Sequence, residues 1–172
     1  MPERLKALIR DIPDFPKPGI VFKDITTLLA DGPAFAHAID LLAERYQNRG
    51  IDRVVAMEAR GFILGAPLAV RLGAGFVPVR KKGKLPHATI EETYALEYGK
   101  DTLQMHQDAL IKGHRVLVVD DVLATGGTAA AVARLVGQLD AEIVEAAFLM
   151  ELTFLHGREK LNGITTYALI EY

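Results

Sequence analysis

The stretch Val116-Leu-Val-Val-Asp120-Asp121-Val-Leu-Ala124-Thr125-Gly126-Gly127-Thr128 reads as an apolar strand, Val116–Val119, that stops at two adjacent carboxylates, then a small, hydroxylated, glycine-rich turn that opens a helix. Backbone N–H groups of such a turn, with the positive end of the helix dipole behind them, suit a terminal phosphate. The carboxylates are too close to that phosphate to bind it. They can accept hydrogen bonds from sugar hydroxyls and stabilise positive charge developing on a sugar ring. A strand merely capped by Asp and turned by glycine needs fewer such features. Here two acids, two hydroxyls and two glycines fall within nine positions, which predicts a site for a sugar phosphate. No G-x-x-x-x-G-K-[ST] occurs and no G-x-G-x-x-G opens a helix, which sets aside a triphosphate P-loop and a dinucleotide fold.

Working outward, strands and helices alternate. Pro33 and Gly50 bracket a helix whose apolar face carries Phe35, Ile39, Leu42 and Ala43. Arg53–Met57 reads as a buried strand, Gly61–Leu72 as helix, Gly75–Val79 as strand, Thr128–Leu139 as an alanine-rich helix and Ile143–Met150 as strand. The alternation predicts an α/β fold: a central parallel sheet with right-handed crossovers, flanked by helices, in one domain over 1–172. An amphipathic start (Leu5, Leu8, Ile9) and a proline-rich loop at 13–19 precede it. Glu91–Leu96 and Asp101–Gln107 alternate about Gly99 as an antiparallel hairpin would, so residues 82–105 read as a mobile flap.

Ligands of open parallel sheets sit beyond the carboxyl ends of the strands. The polar clusters Glu58-Ala59-Arg60, Arg80-Lys81-Lys82, Asp120-Asp121 and Glu151 all follow apolar runs, so they are expected on one face. Taken singly, Arg60 could as well be a structural ion pair and the basic run at 80–84 a solvated turn.

Composition narrows the partners. Half of the 172 residues are apolar, enough for a sizeable core, and the formal net charge of −2 offers no footprint for nucleic acid or an anionic membrane. Cysteine is absent, which leaves no disulfide framework, thiolate metal site or thiol nucleophile and suits a cytoplasmic location. The N-terminus has no apolar signal core and no apolar run approaches membrane-spanning length. The five histidines show no paired ligand spacing, so no protein cage for a metal is expected.

Residues 116–128 resemble the phosphoribosyl-pyrophosphate (PRPP) signature of the type I phosphoribosyltransferases. Phe15-Pro-Lys-Pro-Gly-Ile-Val-Phe22-Lys-Asp24, Glu58-Ala-Arg60-Gly61-Phe62, Arg80-Lys-Lys-Gly-Lys84-Leu-Pro86 and Leu96-Glu97-Tyr98-Gly99-Lys100 are similar to the adenine-using branch of that family, and Glu151-Leu152-Thr153 and Gly157-Arg-Glu-Lys160 extend the likeness. The resemblance implies an N-terminal hood at about 1–34 and transfer of a 5-phosphoribosyl group from PRPP to N9 of adenine, giving AMP and pyrophosphate. It assigns the 5′-phosphate to Ala124, Thr125, Gly126, Gly127 and Thr128. Pyrophosphate goes to Glu58, Ala59, Arg60, Arg80, Lys81 and Lys84, with a strained Glu58–Ala59 peptide that can be cis. Adenine goes to Val21, Phe22, Lys23 and Leu152, with main-chain groups of Val21 and Lys23 at the purine edge. Catalysis falls to Asp120, Asp121, Arg60 and Glu97, the last by taking the N9 proton. Mg²⁺ is expected, held mainly by substrate oxygens, as is a homodimer in which Arg80 reaches the partner's site. A 6-oxopurine as the accepting base, and a PRPP sensor that binds nucleic acid, stay open at this point.

Overall fold

The computed structural model describes residues 2–96 and 99–172. In chain order the elements are α1 (Pro2–Lys6), β1 (Arg10–Pro13), β2 (Val21–Asp24), α2 (Thr26–Ala30), α3 (Gly32–Tyr46), β3 (Arg53–Met57), α4 (Arg60–Leu72), β4 (Gly75–Lys81), β5 (Thr89–Ala95), β6 (Lys100–His106), β7 (Arg115–Leu123), α5 (Gly127–Gln138), β8 (Glu142–Glu151) and β9 (Thr166–Glu171). Two short 3-10 turns, Thr153–Leu155 and Gly157–Leu161, join β8 to β9.

The seven-stranded sheet has the order β5-β6-β4-β3-β7-β8-β9. The pairs β3 with β4, β3 with β7, β7 with β8 and β8 with β9 are parallel, as the strand-helix alternation predicts. The hairpin β5-β6 joins the same sheet antiparallel to β4 at Arg80 and Lys81, so the sheet is mixed rather than purely parallel. Leu103 and Met105 of β6 are fully buried beside Val77 and Val79, so the returning strand of the hairpin at 82–105 belongs to the core.

The strand over Val116–Val119 does not stop at the acids. It continues to Leu123, paired with β8 as far as Glu151, because Asp120 and Asp121 find partners within the strand's surroundings and need not leave the ladder. The hood contributes β1 and β2 as a separate antiparallel pair, yet its apolar residues Leu5, Ile9, Ile25 and Leu28 sit in one core with Val54, Leu117 and Leu149. Helix α3 starts as its sequence dictates: Asp31 accepts from the Ala34 N–H at 3.0 Å and Pro33 occupies the first turn. α4 closes on Gly73 in the left-handed conformation.

Candidate active site

A cavity of about 310 Å³ opens at the carboxyl ends of β3, β4 and β7. Its lining includes Glu58, Ala59, Arg60, Lys81, Asp120, Asp121 and the whole turn Ala124 to Thr128. Three chain segments therefore converge where the topology places a ligand.

The turn is built for close approach. Gly126 has φ +79° and caps α5 with no side chain, so the first N–H groups of the helix face the cavity without a protein acceptor competing for them. The two acids are adjacent in β7, and both meet the first turn of α4: Asp120 at Gly61 and Asp121 at Arg60. Asp120 Oδ1 accepts from the Asp121 N–H at 2.9 Å. Arg60 Nε lies 2.9 Å from Asp121 Oδ2, an ion pair without hydrogen-bond alignment, which leaves that buried oxygen able to accept from a ligand hydroxyl. Burial, and then the charge of Asp121, pushes the Asp120 carboxyl well above the usual carboxylate range. Burial raises Asp121 too, against the pull of Arg60.

Gly61, at the start of α4, has no room for a side chain. A Cβ there would lie 2.8 Å from Asp120 Oδ1 and 3.2 Å from the Val119 carbonyl oxygen. That close approach seats Arg60 above the acids. The Glu58–Ala59 peptide is cis, as the resemblance implies. Burial works against the Glu58 charge, but the Lys81 N–H at 2.6 Å and the Arg80 guanidinium hold its carboxyl below the usual range.

Not every residue expected on this face joins the cavity. Arg80 turns to Glu58, Nη2 to Oε2 at 2.9 Å, and donates to the Lys84 carbonyl at 3.2 Å; neither Arg80 nor Lys84 lines the cavity. Glu151 is buried against Arg158 instead. Val21, Phe22, Lys23 and Leu152 also lie outside the lining, but the Phe22 ring stands 5.3 Å from the Arg60 guanidinium and so adjoins it. The Lys23 ammonium points away, to Asp11 at 2.7 Å and over the Tyr172 ring at 4.1 Å. Glu97 lies outside the described residues.

Tyr94 and Asp101 line the cavity and were not anticipated. Asp101 meets Lys81 at 3.3 Å, and the Tyr94 hydroxyl stands 3.3 Å from Thr128 Oγ1. The pleat carried the signal: Glu92 and Tyr94 share one face of β5, and Glu92 bonds Arg134 and Gln138 of α5.

The family profile described as "Phosphoribosyl transferase domain" matches residues 24–163. The chain is 61% identical over 170 residues, 99% of each chain, to an adenine phosphoribosyltransferase of Syntrophotalea carbinolica, and 60% identical over the same span to one of Geobacter metallireducens. Among solved structures, an adenine phosphoribosyltransferase of Thermoanaerobacter pseudethanolicus superposes with a TM-score of 0.97 at 54% identity, covering all of both chains. The Saccharomyces cerevisiae enzyme, complexed with an imino-altritol bisphosphate and adenine, superposes at 0.93 and 43% identity, covering 98% of this chain and 97% of that one.

Proposed function

Since the chain belongs to the adenine phosphoribosyltransferases and transfers the phosphoribosyl group of PRPP to adenine, giving AMP and pyrophosphate, we propose how its residues divide that work. The observation that carries the proposal is the single cavity shared by the carboxylates of Asp120 and Asp121, the open helix terminus at Ala124–Thr128 and Arg60. A ligand with phosphate at one end, two hydroxyls in its middle and a second anionic arm matches that order of groups.

The turn N–H groups of Ala124–Thr128 hold the 5′-phosphate. Asp120 and Asp121 accept from the 2′- and 3′-hydroxyls and face the ring as it gains oxocarbenium character, where negative charge is worth most. Arg60 and Lys81, with the cis Glu58–Ala59 turn, take the pyrophosphate arm. Adenine N9 attacks C1′ as the C1′–oxygen bond to pyrophosphate breaks, and Glu97 accepts the N9 proton. Main-chain groups of Val21 and Lys23 read the purine edge, which agrees with the Lys23 ammonium being engaged by Asp11 and Tyr172. Val21, Phe22 and Leu152 pack against the base.

Mg²⁺ completes the proposal. No group of three or more His, Cys, Asp or Glu that could hold a metal occurs among the described residues, but the cavity offers carboxylate and main-chain oxygens, which suit a hard cation. Substrate oxygens would be its main ligands, with Asp120 and Asp121 nearest on the protein side. When bound it neutralises charge on the departing pyrophosphate. A homodimer is supported by α4, which presents Ile63, Ala66 and Val70 to solvent along one stripe, Val70 at 81% exposure. Among the described residues no helix is long and apolar enough to cross a membrane. A cytoplasmic place of work follows from the charge of PRPP, which does not cross a bilayer unaided.

Incubating the protein with PRPP, Mg²⁺ and adenine, guanine or hypoxanthine in turn tests the reading. AMP and pyrophosphate should appear in equal amounts with adenine alone. Faster turnover of a 6-oxopurine would refute the assignment of the base site.

A further inference from the structure

The segment Gly157-Arg-Glu-Lys160 has no part in the chemistry above, and Glu151 faces it rather than the cavity. Arg158 Nε donates to both Glu151 oxygens at 2.8 Å, its Nη2 donates to Oε2 as well, and its Nη1 donates to the Thr166 carbonyl at 2.9 Å. Glu151 is only 3% exposed, and Glu171 adds a second acid 3.6 Å from Arg158. These bonds tie the 3-10 turn Gly157–Leu161 to the ends of β8 and β9, while Leu161 is buried in the cluster under α5.

The same turn is pressed onto the phosphate loop. A Cβ on Gly126 would lie 2.2 Å from the Gly157 carbonyl oxygen, and a Cβ on Gly157 would lie 2.3 Å from the Ala124 carbonyl oxygen. The two backbones are in contact with no side chain between them. The loop has little hold of its own, since Gly126 is left-handed and α5 has no side-chain cap. Donors that cradle an anion act only when fixed at the right distance by what stands behind them.

We propose that Arg158 is a positioning residue for the 5′-phosphate: through Glu151 it holds the Gly157 backbone against residues 124–126 and so sets the shape of the phosphate cradle. The inference rests on the reading that this loop takes the 5′-phosphate of PRPP. It assigns Glu151 to the frame of the site, not to a ligand.

The test compares Gly157→Ala, Arg158→Met and Arg158→Lys with the unaltered protein. The readouts are the Kd for ribose 5-phosphate by calorimetry, KM for PRPP and for adenine, and the unfolding temperature. Gly157→Ala keeps the Arg158–Glu151 pair and pushes the loop directly, so it serves even if Arg158→Met folds poorly. Both should raise the ribose 5-phosphate Kd and the PRPP KM about tenfold or more, with the adenine KM within about twofold, while Arg158→Lys recovers most of the binding. Unchanged ribose 5-phosphate binding in Gly157→Ala and Arg158→Met, or equal losses for PRPP and adenine, would overturn the inference while leaving the loop's role intact. Failure of the unaltered protein to bind ribose 5-phosphate would instead remove the loop reading, and the inference with it.

Discussion

Gly61→Ala places one methyl group where α4 meets the acid pair. At 2.8 Å from Asp120 Oδ1 the new Cβ falls about 0.6 Å short of ordinary contact, which begins near 3.4 Å. Asp120 cannot swing freely, because its Oδ1 already accepts from the Asp121 N–H. Relief must come from a shift of the carboxylate or of the first turn of α4, with Arg60 on it. Overpacking of this kind costs about 1–3 kcal/mol, and alanine returns up to about 1 kcal/mol as the better helix former. The net loss, up to about 2 kcal/mol, lowers Tm by a few degrees at about 2–4 °C per kcal/mol for a chain of this size. Activity should suffer more. A 1 Å misplacement can cost about a hundredfold, so roughly half that displacement should lower kcat about tenfold. Initial rates of AMP formation and thermal unfolding, run beside Gly137→Ala, measure both. Gly137 lies in α5 with nothing within 4 Å of its added Cβ, so that variant should gain stability and keep its kcat. Wild-type kcat with a raised Tm in Gly61→Ala would refute the claim that this contact seats the acids.

Asp120→Asn should lower kcat by about a hundredfold or more while raising the Tm of the ligand-free protein. Its raised folded pKa makes the charged form a cost to stability that is fully present above that value and fades as the pH falls toward the unfolded value, so the Tm gain over wild type should shrink on acidification and a constant gain would count against it. Glu97→Gln should slow single-turnover chemistry about a hundredfold, and an unchanged chemical step would remove Glu97 from the mechanism. Lys23→Ala should lower stability by loosening β1 and β2 from Tyr172 yet leave the adenine-to-hypoxanthine rate ratio intact, and a collapsed ratio would show that the side chain reads the base. Mixing inactive Arg80→Ala with inactive Asp121→Asn should restore activity if Arg80 leaves Glu58 to act across a dimer; no recovery despite subunit exchange would confine it to its own chain.

The parallel strands β3, β4, β7 and β8 were legible because each is an apolar run closed by polar residues, and β3 begins and ends where the pattern places it. The phosphate turn was legible for a different reason: its residue types have few uses together. The extent of β7 was not, since carboxylates read as strand ends, and only the tertiary partners of Asp120 and Asp121 let the ladder run on to Leu123. β9 was missed because its apolar run Tyr167–Ile170 follows two short 3-10 turns rather than an α-helix that would mark it as a crossover strand. Glu151 and Arg80 were expected among the cavity groups from their places after apolar runs, but position after a strand does not say which way a side chain turns, and both turn to a charge partner in their own chain. Tyr94 shares its face of β5 with Glu92, but the alternation alone does not say that this face meets α5.

The shared core of the hood bears on how the base arrives. Leu5, Ile9, Ile25 and Leu28 would have to leave the company of Val54, Leu117 and Leu149 before the hood could swing outward as a unit. At about 1.5–3 kcal/mol for each large side chain, such a gate would cost about as much to open as the domain has in total stability, about 5–15 kcal/mol. The hood is thus held to the domain as a unit, and the amides of its buried part should exchange with solvent more slowly than those of the exposed β1-β2 pair. Exchange of the base is then left to the β5-β6 side of the cavity, which Tyr94 and Asp101 line.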